Sequence, residues 1–280
     1  MDLSITPLAG SFGATVDCNL IGSTKLDLAE ALTAALHRHR LLIFPDQHLN
    51  HADLLAVTGI FGTVCTDVDR RYAVGGFPGV TVVSNIAQDG AHVGIYDGDN
   101  EEEWHADNSF KPELSRATLL YSVITPEHGG ETRFADATRA YADLPADTKR
   151  RIEGMQAVHS IRQLGARQAE AAGGQSSIAA GTLAGLAEVE HPLAPVHPVT
   201  GSRSLLVGSM VVKNVVGLAP QVSSELLTRL LAHATSQPYV YSHRWRQGDL
   251  VVWDNRAVLH TASPCDSSRH HRLLFRTAVQ

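Results

Sequence analysis

The residues with the clearest chemical potential are a histidine and an aspartate separated by one small residue, His105-Ala106-Asp107. We predict that this segment is a β-strand, in which residues i and i+2 project from the same face. One imidazole and one carboxylate would then point at the same place, with no bulk between them. A third metal ligand must come from elsewhere in the chain. Two histidines and one carboxylate on one face of an octahedral metal leave three positions open, which is typical of Fe(II) oxygenases.

The His-x-Asp pair alone is weak evidence, because the chain holds fifteen histidines and such a pair arises easily by chance. Two other interpretations use the same residue types. A zinc hydrolase could bind its metal through two histidines and an aspartate and activate a water molecule. A non-catalytic jelly-roll binding protein would leave the pair unused. Other motifs are needed to decide between these classes.

Several further groups of residues occur in the order of the motifs of a known enzyme family. In chain order the groups are Trp104-His105-Ala106-Asp107, Gly129-Gly130-Glu131-Thr132, Trp253-Asp254-Asn255-Arg256 followed by His260, and the pair Arg272 and Arg276. This set resembles the taurine dioxygenase/2,4-dichlorophenoxyacetate dioxygenase family of Fe(II)/2-oxoglutarate enzymes. The resemblance extends over nearly the whole chain, from Gly13 to Thr277, and includes Phe44-Pro45 and Phe61-Gly62 near its start.

The resemblance implies a catalytic centre with Fe(II), 2-oxoglutarate as cosubstrate and O2. It identifies His105, Asp107 and His260 as the metal ligands. By the same resemblance, Thr132 is the hydroxyl that hydrogen-bonds the far carboxylate of 2-oxoglutarate, and Arg272 pairs with that carboxylate. The planar fork of an arginine suits bidentate capture of a carboxylate, which a lysine would not reproduce.

The substrate end of the site is expected to involve Arg276 and Asp67. Arg276 resembles the second arginine of the family, which in anion-using relatives faces the acidic group of the substrate. Where taurine-using relatives carry a histidine soon after the Phe-Gly pair, this sequence has Asp67, which would repel a sulfonate and attract an ammonium group. The two residues together suit an amino-acid-like molecule. Alternatively, Arg70 or Arg71 neutralises Asp67 as a surface ion pair.

The reaction implied by the resemblance is that of a 2-oxoglutarate-dependent non-haem iron dioxygenase. Such an enzyme would oxidise an unactivated C–H bond of a small, anionic or amino-acid-like molecule and release succinate and CO2. The carboxylate ligand Asp107 is present, so the ligand loss that opens a position for halide is absent. We therefore expect hydroxylation rather than halogenation, with desaturation and ring formation left open.

The elements that must position these residues are mostly short strands. We predict a helix over residues 24–38, a buried strand over residues 41–44, and a second helix that begins at Asn50. Further strands are predicted over residues 117–124, 131–135, 239–245, 250–254 and 271–278. This pattern predicts a mixed α+β, mainly β fold with a double-stranded β-helix (jelly-roll) core and surrounding helices. We predict one domain over residues 1–280, with candidate lid regions at 86–103 and 163–190.

Composition excludes several classes of partner. The net charge is −6 and no Lys/Arg cluster is present, so we expect neither nucleic acid nor an anionic membrane as a partner. The N-terminus lacks the features of a signal peptide. Three widely spaced cysteines, an odd number, suit a reducing compartment. We expect a cytoplasmic enzyme that acts on a small-molecule substrate, with association into a homo-oligomer left open.

Overall fold

Short strands alternate with helices along the chain. The computed structural model describes residues 3–21, 26–66, 70–89, 91–95, 103–171, 178 and 185–280. Within these residues the strands are β1 (Ser4–Pro7), β2 (Ala14–Asp17), β3 (Leu41–Phe44), β4 (Ala73–Val74), β5 (Phe77–Ser84), β6 (Ala87–Gln88), β7 (Ala91–His92), β8 (Ala117–Ile124), β9 (Thr132–Asp136), β10 (Gln156–His159), β11 (Val189–Pro192), β12 (Val212–Val215), β13 (Val240–His243), β14 (Leu250–Asp254), β15 (Val258–Ala262) and β16 (Leu273–Val279). The helices are α1 (Leu26–His39), α2 (His51–Thr58), α3 (Ala137–Ala142), α4 (Ala146–Ile152), α5 (Ile161–Ala171) and α6 (Pro220–Ala234), and a 3₁₀ turn covers Gln237–Tyr239. None of the described helices is long and apolar enough to cross a membrane.

Two sheets form the centre of the described part of the protein. The larger sheet has eight strands in the order β1-β2-β3-β14-β8-β16-β5-β4, and the smaller one has the order β13-β9-β15. A separate three-stranded sheet, β11-β10-β12, and the short hairpin β6-β7 complete the described strands. Strand pairs on both central sheets are antiparallel, apart from the parallel contact of β2 with β3. The predicted mixed fold with a mainly β, jelly-roll core is confirmed.

Apolar side chains separate the sheets and attach the helices. Between the two central sheets lie residues of both, including Leu41, Leu120, Val251, Phe134 and Val258. The other face of the larger sheet packs against α1 and α2, and the other face of the smaller sheet packs against α3 and α6. Because helices cover both outer faces, the space between the sheets is where polar groups can be held away from solvent.

The second helix begins as its sequence predicts. Asn50 Oδ1 accepts hydrogen bonds from the backbone N–H groups of Ala52 and Asp53, at 2.9 and 3.0 Å. In return, the Asn50 N–H donates to the Asp53 carboxylate over 3.1 Å. This reciprocal capping box satisfies donors that the first helical turn would otherwise leave unpaired. It fixes the start of α2, which packs against β5 and β16 of the larger sheet.

Near the candidate site one strand prediction is wrong and one strand was not predicted. His105 does not lie in a strand: it forms a single β-bridge with His260. The chain turns directly after Asp107, because Asn108 adopts a left-handed conformation with a φ of 56°. In addition, the predicted closing strands omit β15, which carries His260. All five residues of β15 are buried, so its sequence shows none of the alternation that marks a half-buried strand.

The candidate lid regions are only partly described. The hairpin β6-β7 lies in the first region, and α5 covers the beginning of the second. Residues 96–102, 172–177 and 179–184 lie outside the described residues. The assignment of a lid to either region, and of one domain to residues 1–280, stays a prediction.

The last residue of β10, His159, is a buried histidine. Neither of its ring nitrogens has a hydrogen-bond partner among the described residues. Its ring meets that of His191 edge-on, with 5.0 Å between the ring centroids. Burial, with a contribution from His191, lowers the pKa of His159 to about 3. The ring is therefore neutral in the folded protein throughout the mildly acidic range.

We expect His159→Leu to make the protein less sensitive to mild acid. A histidine in the unfolded chain has a pKa of about 6.5. As the pH falls from about 7 to about 5, His159 gains a proton in the unfolded wild type but not in the folded protein. The free energy of unfolding therefore falls by about 2 kcal/mol. Urea unfolding at both pH values should show this loss in the wild type and about 2 kcal/mol less loss in the variant.

The exposed His128, with a side chain 74% accessible, provides a control for this measurement. His128→Leu should keep the pH dependence of the wild type. The same pH dependence in His159→Leu and in the wild type would show that the buried ring is not responsible.

Candidate active site

The structure brings together the three residues that were predicted as metal ligands. Asp107 Oδ1 lies 3.8 Å from His105 Nε2, and Asp107 Oδ2 lies 3.8 Å from His260 Nε2. One potential ligand atom from each residue lies within 4.8 Å of the other two. Each residue is less than one tenth exposed. The donors thus face a common point in a largely dry environment.

Backbone pairing sets the separation of the two histidines. The His105 N–H donates to the His260 carbonyl over 2.9 Å, and the His260 N–H donates to the His105 carbonyl over 2.8 Å. The two rings are 4.1 Å apart at their centroids. Gly208 packs against the same backbone, where a β-carbon would lie only 2.7 Å from His105 Cα. Glycine at position 208 therefore allows the close approach that this bridge requires.

The protonation states of the three residues suit a metal site. His105 Nδ1 lies 2.8 Å from the Glu103 carbonyl oxygen, which can only accept, so Nδ1 carries the proton and Nε2 presents its lone pair. Burial and the neighbouring His105 lower the pKa of His260 to about 3, which keeps this ring neutral. Burial opposes ionisation of Asp107, but the Arg276 guanidinium and the hydrogen bond from the Thr118 hydroxyl favour it, and the pKa of Asp107 is lowered.

This donor set fits a divalent transition-metal ion. Neutral imidazoles and an ionised carboxylate are the forms in which these residues bind metals. The separations of 3.8 Å between nitrogen and oxygen are too long for hydrogen bonds among the three side chains. Two imidazoles and one carboxylate match the facial arrangement of non-haem Fe(II) oxygenases.

Arg276 lies beside this group. It is on β16, and its Nη1 is 3.6 Å from Asp107 Oδ1. The Arg276 side chain is about one third exposed, whereas Asp107 is buried. The guanidinium thus borders the cluster on its accessible side and can meet an anion that approaches from solvent.

A second polar group contains Trp245 and the two residues predicted to bind 2-oxoglutarate, Thr132 and Arg272. Arg272 Nη2 and Trp245 Nε1 both donate to Thr132 Oγ1, over 3.2 and 3.1 Å. Because these two donors use the acceptor capacity of the oxygen, the Thr132 hydroxyl proton is left to donate to another group. Gly130 has a φ of 69° and allows close approach of Arg272, whose Cδ would be 3.1 Å from a β-carbon there.

The register of the smaller sheet relates the two groups. In the pairing of β15 with β9, His260 is opposite Phe134 and Ala262 is opposite Thr132. Thr132 and His260 are therefore diagonal neighbours on one face of the sheet, a separation of roughly 7–8 Å. A ligand with two acidic ends can reach from one group to the other.

Sequence reasoning missed some of the residues that adjoin these groups. Trp245 was not singled out, although it donates to Thr132. Thr118 was placed only in a strand, although its hydroxyl donates to Asp107 Oδ2 over 2.7 Å. Asn255 was named only as part of a motif, without a role, yet its side-chain oxygen accepts from the Asp107 N–H. A hydroxyl, an indole and an amide are common core groups, and only the position of Asn255 within a motif could have indicated a role.

A second cluster with ligand-type side chains, His37, His197 and Asp254, has a different character. His197 Nδ1 accepts from the backbone N–H groups of Val199 and Thr200, so Nε2 carries a proton and donates to Asp254 over 2.8 Å. Arg256 donates to both oxygens of Asp254, over 2.9 and 2.7 Å. The lone pairs that a metal would need are therefore engaged, and the cluster is a hydrogen-bonded ion pair network.

Asp67, the predicted partner of a substrate ammonium, lies outside the described residues. Its role therefore stays a prediction. Of the two neighbouring arginines, Arg71 stacks over the Tyr72 ring at 5.1 Å from the ring centroid.

Comparisons with known proteins identify the family. The sequence matches the family described as taurine catabolism dioxygenase TauD, TfdA family over residues 4–278. It is 34% identical to the (S)-phenoxypropionate/alpha-ketoglutarate-dioxygenase of Sphingobium herbicidovorans, over 98% of this chain and 94% of that protein. It is 31% identical to the alpha-ketoglutarate-dependent 2,4-dichlorophenoxyacetate dioxygenase of Cupriavidus pinatubonensis, over 100% of this chain and 98% of that protein. The crystal structure of a taurine dioxygenase from Burkholderia xenovorans is similar with a TM-score of 0.81 at 27% identity, and the match covers 100% of this chain and 89% of that one.

The fold and the relatives define a class of enzyme, the α-ketoglutarate-dependent dioxygenases. The chain belongs to the TauD, TfdA family of these enzymes, so the family resemblance predicted from its motifs is confirmed. Enzymes of this family use Fe(II), 2-oxoglutarate and O2.

Proposed function

We propose that this enzyme hydroxylates a C–H bond of a small carboxylate-bearing molecule, with His105, Asp107 and His260 holding Fe(II). The observation that carries the proposal is the convergence of these three buried side chains with Arg276, whose guanidinium is 3.6 Å from the Asp107 carboxylate. One cluster thus combines the donors for a metal with a cation for an anionic substrate.

The bound iron, 2-oxoglutarate and O2 supply the oxidising chemistry, in which 2-oxoglutarate is converted to succinate and CO2. The protein contributes binding, orientation and the exclusion of water. The bridge between His105 and His260 holds their rings in place, and the Glu103 carbonyl keeps the His105 proton on Nδ1. Because the carboxylate of Asp107 is present as a ligand for the iron, no ligand loss would open a position for halide, which favours hydroxylation over halogenation.

Thr132 and Arg272 are proposed to bind the far carboxylate of 2-oxoglutarate. The hydroxyl proton of Thr132 remains to donate, because Trp245 and Arg272 already donate to its oxygen. Arg272 is only 1% exposed, and a hydrogen bond from a buried guanidinium to a carboxylate is stronger than one exposed to water. The diagonal placement of Thr132 and His260 on the smaller sheet supports a cosubstrate that spans from the metal to this pocket.

Arg276 is proposed to bind the acidic group of the primary substrate. Two relatives are named for phenoxypropionate and 2,4-dichlorophenoxyacetate, both of which carry a carboxylate. The partial exposure of Arg276 supports contact with a molecule that enters from solvent. We further propose that Asp67 meets an ammonium group, so that an amino-acid-like substrate would be held at both ends.

Replacement of any one of His105, Asp107 or His260 by alanine should abolish succinate release that is coupled to substrate and weaken Fe(II) binding. The three donors act as one site, so the loss of any one leaves the metal under-coordinated. Anaerobic Fe(II) titration and succinate assays measure the two effects. His48→Ala, at a side chain 81% exposed, should behave as the wild type. Full turnover in any of the three variants would remove that residue from the proposed ligand set.

Arg272→Lys should raise the Michaelis constant for 2-oxoglutarate by about tenfold to a hundredfold, because a charge-assisted hydrogen bond is lost while the charge stays. The constant is measured from succinate formation at saturating Fe(II) and substrate. Arg269→Lys makes the same change at a side chain 79% exposed and should leave the constant as it is. An unchanged constant in Arg272→Lys would mean that another group binds the far carboxylate.

Arg276→Ala should weaken binding of the primary substrate by about tenfold or more without changing the Michaelis constant for 2-oxoglutarate. It should also lower the ratio of product to succinate, since a poorly oriented C–H bond leaves turnover uncoupled. The substrates tested are small carboxylates with and without an amino group.

Asp67→Ala should reduce turnover only for the carboxylates that carry an amino group. Equal activity of Asp67→Ala on substrates with and without the amino group would contradict the hypothesis of an amino-acid-like substrate. Arg276 would then be the remaining residue proposed to bind the substrate.

A further inference from the structure

The Asp107 carboxylate lies at the end of a chain of buried hydrogen bonds. Thr118 Oγ1 donates to Asp107 Oδ2 over 2.7 Å, and Asn255 Nδ2 donates to Thr118 Oγ1 over 2.8 Å. Asn255 Oδ1 accepts from the backbone N–H of Asp107 at 3.2 Å and from Trp253 Nε1 at 3.0 Å. None of these four residues is more than 8% exposed.

Chemistry allows only one direction for the protons in this chain. An indole N–H and a backbone N–H can only donate, so the Asn255 atom that faces both must be its amide oxygen. The Asn255 NH2 group then faces Thr118 and can only donate to it. The Thr118 oxygen therefore accepts, and its own proton goes to Asp107. Asp107 Oδ2 is thus held as the acceptor of a directed hydrogen bond.

The two oxygens of Asp107 are consequently not equivalent. Oδ2 accepts the Thr118 hydrogen bond and lies 3.8 Å from His260 Nε2, whereas Oδ1 lies 3.8 Å from His105 Nε2 and 3.6 Å from Arg276 Nη1. The terminal torsion of an aspartate is soft, so an unrestrained carboxylate could present either oxygen, or both, to a cation. A carboxylate restrained through Oδ2 presents Oδ1.

We propose that Thr118 and Asn255 are positioning residues of the metal site, which hold the Asp107 carboxylate so that only Oδ1 binds the cation. This inference rests on the proposed function, in which Asp107 is a ligand. A carboxylate that binds through one oxygen occupies one coordination position rather than two. The hydroxyl of Thr118 thereby preserves positions that 2-oxoglutarate and O2 need.

Two members of the chain of hydrogen bonds, Thr118 and Trp253, lie on paired strands, and Asn255 lies in the turn that directly follows β14. Thr118 on β8 is directly opposite Trp253 on β14 in the larger sheet. The Asn255 N–H donates to the Arg116 carbonyl over 3.0 Å. On the other side of the same turn, Asp254 is fixed by Arg256 and His197. Strand pairing and this ion pair network therefore fix the position of Asn255.

The test compares Co(II) binding to the metal-free wild type and to metal-free Thr118 variants. Binding is measured by titration with Co(II) and detection of its visible absorption. Thr118→Val keeps the shape of the side chain and removes the hydroxyl, so we expect the Co(II) dissociation constant to rise by about tenfold to a hundredfold. Thr118→Ser keeps the hydroxyl, so its Co(II) dissociation constant should be within a few-fold of the wild-type value. Thr118→Ala and Thr118→Ser differ only in the hydroxyl and give the same comparison should the valine variant not fold.

A matched control is available at Thr277, on the neighbouring strand β16. Its hydroxyl makes a buried hydrogen bond with Thr58, over 2.7 Å, on the opposite face of the sheet from Asp107. Thr277→Val should lower thermal stability and leave the Co(II) dissociation constant unchanged. Wild-type Co(II) affinity in Thr118→Val, or an equal loss in Thr277→Val, would overturn the inference.

Failure of the inference is distinguishable from failure of the proposed function. His105→Ala should lose Co(II) binding if the three donors form the metal site. Loss in His105→Ala together with wild-type affinity in Thr118→Val would overturn the positioning role alone. Wild-type affinity in His105→Ala would overturn the ligand assignment, and the positioning role with it.

Discussion

The pair of backbone hydrogen bonds between His105 and His260 is the interaction on which the rest of the site depends. These residues are far apart in the sequence, and their N–H and carbonyl groups bond reciprocally over 2.9 and 2.8 Å. The bridge joins the segment before Asp107 to the edge of the smaller sheet. Three features adjoin this bridge: the turn that begins at Asp107, the glycine at position 208 and the carbonyl of Glu103. A shift of β15 would therefore displace both imidazoles together.

Burial of charge is the main energetic constraint on this arrangement. A carboxylate removed from water costs several kcal/mol unless it is compensated. Asp107 is compensated by the Arg276 guanidinium and by the Thr118 hydroxyl, and its pKa is accordingly lowered. Asp254, on the same β14 turn as Asn255, is handled in the same way by Arg256 and His197, which keep its pKa at about 2. Asp107 and Asp254 are thus both ionised, and the carboxylate of each accepts a hydrogen bond of 2.7 Å.

Local patterns in the sequence predict the elements whose signals are local. The buried strand over residues 41–44, the strand over 117–124 and the capped helix after Asn50 follow from apolar runs and a capping motif. The strand that carries His260 could not be found in this way, because the polar residues His260 and Thr261 interrupt the apolar run of β15 and produce no polar–apolar alternation. The ligand residues came from the resemblance to a family. Trp245 and Thr118 have no such signal, because their hydrogen bonds to Thr132 and Asp107 depend on contacts that exist only in the folded chain.

The contact of Arg276 with Asp107 suggests how metal and substrate binding are linked. In the structure the guanidinium lies 3.6 Å from Asp107 Oδ1, the oxygen that is proposed to bind the cation. When a divalent ion is held by His105, Asp107 and His260 as proposed, it supplies the positive charge that Asp107 requires. Arg276 is then repelled by the ion and is drawn to an external anion. The same guanidinium would therefore stabilise the Asp107 carboxylate in the absence of metal and the substrate carboxylate in its presence. The affinity for the substrate should consequently depend on whether the metal is bound.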